Sequence, residues 1–233
     1  PAQLGFRSQI ISIECDISNG LPGFVVVGLA DKAVDEAKER VRAALRHAGL
    51  LVPPKRITMN LAPADVPKDG TGFDLGMAVA LLSATGHVII DTQDKLFAGE
   101  LGLDGSLRAI RAVLSHAQAA KDNGIKELFV PSANAAEAAL CGGLTVYPVV
   151  NIQELYAHLV NRKPLEPSKP AQQLAGTLPE AEVDFGIIQG QTRAKRALEI
   201  AAAGGHNIIM SGPPGAGKTM LARALTGILP PLS

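Results

Sequence analysis

"NIIMSGPPGAGKTMLARAL", residues 207–225, decides how this chain is read. The apolar run from Asn207 to Ser211 precedes a glycine-rich turn, and an amphipathic segment follows it. The expected order is therefore strand, loop and helix, with the helix running from Lys218 to about Leu229. Within the turn, Gly212, Gly217, Lys218 and Thr219 satisfy G-x-x-x-x-G-K-[ST]. That spacing serves close approach of backbone N–H groups to phosphate oxygens, which side chains would obstruct. Pro213 and Pro214 carry no N–H, so the donors are expected from Gly215, Ala216, Gly217, Lys218 and Thr219, at the positive end of the following helix. With ATP or ADP as the partner, Lys218 is expected at the β and γ phosphates of the triphosphate, and the Thr219 hydroxyl at Mg2+.

A strand, a loop and a helix cannot complete the chemistry. Hydrolysis needs an acid from a second strand to hold Mg2+, a residue that positions water, and usually an arginine from a neighbouring subunit. Few residues follow Thr219, so the sequence is expected to be a truncated nucleotide-binding domain with negligible turnover of its own.

Upstream, the pattern changes several times. "SQIISIECDI" (8–17) alternates, with Ile11, Ile13, Cys15 and Ile17 on one side, and "GFVVVG" follows a Gly/Pro turn; both read as strands. From Asp31 to Ala48 the period becomes helical, with Val34, Ala37, Val41, Ala44, Leu45 and Ala48 in one stripe, Asp31 as N-cap and Gly49 as the stop. "RITMNLAP" reads as a strand, "PKDGTG" as a turn, and "FDLGMAVALLSATG" as a deeply buried helix. A strand "KLFAGEL" and a short strand in "GLDGSL" come next, then a helix "RAVLSHAQAAKDNG". Strand "ELFV", helix "SANAAEAAL", strand "LTVYPV" and helix "IQELYAHLV" complete an α+β unit over residues 1–160. Residues 161–182 hold four prolines and no apolar period, and read as a linker. A second unit is expected over 183–233, opening with a helix at about 191–203.

With 47% hydrophobic residues the chain can bury a proper core, yet no apolar run approaches a membrane span and no secretory layout opens it. A cytoplasmic protein without membrane partners is expected. Cys15 and Cys141 read as buried free thiols, and the five histidines lack metal-ligand spacing. Net charge is zero, leaving room only for a local basic patch.

Such a patch is offered by Lys38, Arg42 and Arg46, at i, i+4 and i+8 on one helix, with Lys55 and Arg56 beyond it. From Lys32 to Arg56 there are seven Lys/Arg against three acids. The surplus suits phosphate contacts with DNA that do not read bases. The alternative is a solvated face, with Glu39 reaching Arg42 and Glu36 reaching Arg40.

"VDFGIIQGQTRAKRALEIAAAGGHNIIMSGPPGAGKTMLARAL", residues 183–225, resembles the start of the ATPase module in magnesium-chelatase-like AAA+ proteins, and its arrangement is similar to their competence-associated ComM/YifB branch. The resemblance covers essentially the whole chain. It implies Ile187 and Ile188 against the adenine, with packing of a small core as the alternative, and Gly190 shaping the turn into the helix. It also implies ATP and Mg2+ as cofactors, homo-hexameric rings that move on DNA, and a role in branch migration. The first unit is similar to the Lon-protease domain, with its ribosomal S5 domain 2-like fold, through "PKDGTG" and "AGELGLDGSLRAIRAVLSHAQAAKDNGIKELFVP". Lon proteases use a Ser/Lys dyad. Here the matching turn, Gly70 to Asp74, has no serine, and Leu114 matches the lysine; Arg111 is too basic to serve, and Thr71 has no evident base. The expected fold is thus a Lon-like α+β domain without protease activity, followed by a truncated P-loop AAA+ α/β domain. Two other functions stay open: a magnesium-chelatase ATPase subunit, and a non-catalytic interaction or oligomerisation platform.

Overall fold

The computed structural model describes residues 2–4, 7–169 and 183–229, so residues 170–182 of the expected linker and the last four of the chain lie outside the described residues. The chain divides into two compact units, Pro1–Ala171 and Gln172–Ser233.

The first unit runs β1 (Ala2–Leu4), β2 (Arg7–Gln9), β3 (Ser12–Ser18), β4 (Gly23–Val27), α1 (Lys32–His47), β5 (Arg56–Ala62), α2 (Asp74–Ala84), β6 (Lys95–Phe97), β7 (Glu100–Leu101), β8 (Leu107–Arg108), α3 (Val113–Asp122), β9 (Glu127–Pro131), α4 (Ser132–Ala138), β10 (Thr145–Val149) and α5 (Ile152–Leu159). One sheet has the order β3-β5-β4, antiparallel between β3 and β5 and parallel between β4 and β5. A second, β10-β9-β6, is parallel throughout. Phe97, Phe129 and Tyr147 sit side by side on its three strands and stack at 4.8 and 4.9 Å, a ladder that fixes its register. Phe129 packs into the larger core with α1 and α2, whereas Leu128 and Val130 face a second core under α3 and α4. Both faces of this sheet are therefore covered, which explains why β9 reads as a continuous apolar run.

The expected strand over 8–17 is broken. Ile11 packs into the larger core and Ile10 against the second, so the chain changes sheets between them: β2 pairs with β1, and β3 with β5. "KLFAGEL" is likewise two strands, because the Gly99 backbone is diverted to bond Gly72 and Leu75. Helix α3 begins at Val113, since Ala112 takes a left-handed φ of 55° and the Asn134 side chain holds both backbone groups of Ile110. Helix α1 has its Asp31 cap, whose carboxylate accepts from the Val34 amide at 2.7 Å, although Ala48 is only half-buried. Gly28, with φ 107°, lets β4 approach β5 closely; a Cβ there would lie 2.1 Å from the Leu61 carbonyl oxygen.

The second unit contains α6 (Thr192–Gly204) and α7 (Lys218–Leu225), held by Ile188, Leu198, Leu221 and Ala224. The strand expected over 207–211 does not form: among the described residues this unit has no strand to pair with it, and a lone extended run has no ladder. Helix α7 stops at Leu225 rather than Leu229, where Gly227 and Ile228 turn back on the carbonyls of Ala224 and Leu225. Among the described residues no helix is long and apolar enough to cross a membrane.

Candidate functional site

The loop from Gly212 to Thr219 enters α7 through Gly217, the N-cap residue, whose φ of 78° places it where a side chain would be strained. Gly215, at 82°, shares that conformation. Among the described residues the amides of Gly215 and Gly217 donate to no backbone carbonyl, whereas Ala216 donates to Pro213 at 3.3 Å. Lys218, Thr219 and Met220 form the first turn of α7, whose N–H groups have no carbonyl one turn earlier in the helix. The Lys218 ammonium curls over the loop and donates to the carbonyls of Gly212 and Pro213 at 2.7 and 2.8 Å. Gln191 steadies the loop from the start of α6, its amide donating to the Ala216 carbonyl at 3.2 Å. Glutamine at this position was not singled out from the sequence. The Thr219 side chain is exposed. Of the two isoleucines matched to the adenine, Ile187 is 68% exposed, while Ile188 is buried against Leu198 and Leu221.

In the first unit, Asp69, Thr71, Glu100, Arg111 and His116 line a cleft of about 460 Å³. Thr71, for which the sequence shows no evident base, donates its hydroxyl to Glu100, whose other oxygen lies 3.6 Å from Arg108. Only the acid interrupting "AGEL" hinted at this pairing. Leu114 is exposed, and Lys68 is buried with its ammonium given to the Pro63 carbonyl. His116 is 6% exposed; its Nδ1 lies 2.9 Å from the Ser8 hydroxyl, and burial lowers its pKa to about 4, so the ring is neutral.

Beside the cleft, Asp74 opens α2 with no exposed surface, and it was legible only as a charge in an apolar run. Arg40 clasps it through Nε at 2.6 Å and a terminal nitrogen at 3.0 Å, and the Leu101 amide adds a third bond at 3.0 Å. Burial pushes the Asp74 carboxyl above the usual carboxylate range, against the pull of those bonds. The bond to Asp74 holds Arg40 charged. Arg40 is therefore not a partner of Glu36, which faces Lys32 at 3.8 Å. Cys15 and Cys141 are free and half-buried rather than buried; burial and Asp16 push the Cys15 thiol up to about 11.

The members of the basic column have different surroundings. Lys38 is tied to Asp35 at 2.8 Å. Arg42 instead lies over the Phe24 ring, 5.7 Å from its centroid, and with Arg46 it borders a groove of about 340 Å³ over Leu50, Leu51 and Pro53. Lys55 and Arg56 are exposed at the start of β5. Among the described residues none of Arg42, Arg46, Lys55 and Arg56 has a carboxylate at ion-pair distance.

Residues 13–134 match the family described as subunit ChlI of Mg-chelatase, and residues 184–233 match magnesium chelatase, subunit ChlI. YifB of Salmonella typhimurium is 45% identical over 234 residues, covering 100% of this chain and 45% of its own length. Competence protein ComM of Haemophilus influenzae is 40% identical over 235 residues, covering 100% of this chain and 46% of its own. Lon protease 2 of Bacillus subtilis is 29% identical over 130 residues, 55% of this chain and 23% of its own. The chain thus spans about half the length of the YifB and ComM proteins it matches.

Proposed function

The chain belongs to the magnesium-chelatase ChlI-like family, of the YifB and ComM type, and on that premise we propose that it is the N-terminal part of an ATP-driven AAA+ motor acting on DNA. One observation carries the nucleotide half of this reading: a lysine ammonium folded onto a loop whose left-handed glycines and unbonded amides stand at the start of a helix. A phosphate carries full negative charge, and it out-competes two neutral carbonyls for Lys218. The amides from Gly215 to Thr219 then hold the phosphate oxygens of ATP or ADP, Lys218 meets the β phosphate and, in ATP, the γ phosphate, and the Thr219 hydroxyl faces Mg2+. Ile187, being exposed, supplies the apolar contact to adenine, while Ile188 belongs to the small core.

The DNA half rests on the likeness to a relative named for competence and on the Lon-like first unit, which the likeness to Lon protease 2 supports. In this reading the motor assembles as a homo-hexamer and drives branch migration. The family's description favours a second reading, an ATPase subunit that serves magnesium insertion into a porphyrin. Two measurements test these. Fluorescent ADP should bind the chain with Mg2+ present and lose at least about tenfold in affinity on Lys218→Ala. A polypeptide of the relatives' full length should hydrolyse ATP faster with branched DNA. Stimulation by porphyrin and not by DNA would establish the second reading, and absence of nucleotide binding would end both.

A further inference from the structure

Helix α1 balances its charges along its first half and not along its second. Lys32 faces Glu36, Lys38 faces Asp35, and Arg40 is spent on Asp74. Arg42 and Arg46, one turn apart at about 6 Å along the axis, have no such partner among the described residues. Like charges at this spacing cost about 0.2 to 0.5 kcal/mol. The carbonyl end of α1 offsets part of that for Arg46, which lies in the last turn. The Phe24 ring lies beneath the Arg42 guanidinium without neutralising it, leaving the guanidinium donors for another group.

Both arginines border a groove rather than an open face. Its other walls are the loop from Gly49 to Pro54 and Pro22 in the turn before β4. The two loops are joined where the Gly23 amide donates to the Lys55 carbonyl at 3.3 Å. Leu50 is anchored in the core, whereas Leu51 is 80% exposed and Leu21, next to Pro22, is 90% exposed. Pro22, Pro53 and Pro54 offer no N–H, and with Leu50, Leu51 and Val52 they give the floor an apolar surface.

Cations on a rim above a small apolar floor complement a ligand that carries carboxylates beside an apolar side chain. We propose that this groove docks an acidic peptide segment of a partner protein, with carboxylates on Arg42 and Arg46 and an adjacent apolar side chain on Leu50, Leu51 and Pro53. A guanidinium meets a carboxylate with two parallel bonds, which gives the contact direction as well as strength. A nucleic acid fits less well. The floor presents no open aromatic face for stacking, since Phe24 is buried beneath Arg42. The exposed Glu39, one turn before Arg42, also interrupts the positive path that a long polyanion would follow.

The test uses the full chain and a fluorescein-labelled peptide of three aspartates followed by two leucines, read by anisotropy. Saturable binding is expected, weakened about tenfold by Arg42→Ala and by Arg46→Ala, and about tenfold when serines replace the peptide's leucines on the wild-type protein. The serine peptide removes any dependence on how well a variant folds. Three results overturn the proposal: no saturable binding, equal affinity for the leucine and serine peptides, or tighter binding of a twelve-nucleotide oligothymidylate that depends on the same arginines.

Discussion

Acidification should unfold the first unit through one imidazole. His116 is neutral when folded, because burial lowers its pKa from 6.5 to about 4. In the unfolded chain it protonates near its ordinary value. Between those two values the unfolded chain binds the extra proton, so stability is full above about pH 6.5 and falls as pH is lowered, until the loss is complete below about pH 4. Each unit of displacement is worth about 1.4 kcal/mol, giving a loss of roughly 3 kcal/mol across the window and about 2 to 3 by pH 4.5. His116→Gln carries no charge and keeps a hydrogen-bonding group for Ser8. The chain has no tryptophan, and both of its tyrosines, Tyr147 and Tyr156, lie in the first unit, so tyrosine fluorescence reports this unit during urea unfolding. The wild-type protein should lose about 2 kcal/mol more than the variant between pH 7 and pH 4.5. Groups common to both proteins cancel in the comparison to first order. Parallel losses in the two proteins would refute the reasoning, because the proton would then be taken up elsewhere.

Asp74→Ala should destabilise the first unit by about 3 to 5 kcal/mol, since Arg40 would remain charged beside an empty buried position; urea unfolding at pH 7 checks this. Gly28→Ala should cost about 3 kcal/mol or more, because left-handed strain adds to a collision with the Leu61 carbonyl; a soluble variant with an unchanged urea midpoint would contradict it. Gly217→Ala should weaken ADP binding several-fold through strain at φ 78°, with little change in tyrosine-reported stability. Casein and peptide substrates should survive incubation with the chain, and cleavage that Thr71→Ala abolishes would reverse that expectation.

Local signals were legible and relations between distant segments were not. Helix α1 was readable to within a residue because its cap, its stripe and its glycine stop are all within the segment that folds. Residues 207–211 looked equally convincing as a strand, but a strand exists only with a neighbour, and apolar composition does not supply one. The glycine-rich loop was spelled out in full, whereas its support by Gln191 spans 25 positions and had no local mark. In the same way Glu100 lies 29 residues from Thr71, and Asp74 lies 34 from Arg40. The arginine column was visible as a period; that Arg40 turns inward and that Arg42 and Arg46 stand over an apolar floor depends on where the loop from Gly49 to Pro54 returns.

In the unit similar to Lon protease, the groups around Thr71 that could take a proton are engaged. Ala112 makes the left-handed bend ahead of α3, and Gly99 ties Gly72 to the start of α2. Within that frame a hydroxyl needs a nearby group able to take its proton. The position matched to the lysine is an exposed leucine, and Lys68 is sealed against the Pro63 carbonyl. His116 has one nitrogen engaged by Ser8. Thr71 does have a carboxylate partner in Glu100, but that carboxylate also faces Arg108, and the pair closes a structural link across the cleft between the turn and β7. Holding the cleft together and attacking a peptide bond make opposite demands on one hydroxyl: the first needs Thr71 fixed to Glu100, the second needs it free to leave. The geometry meets the first demand: Thr71 is held by Glu100, and Glu100 is shared with Arg108.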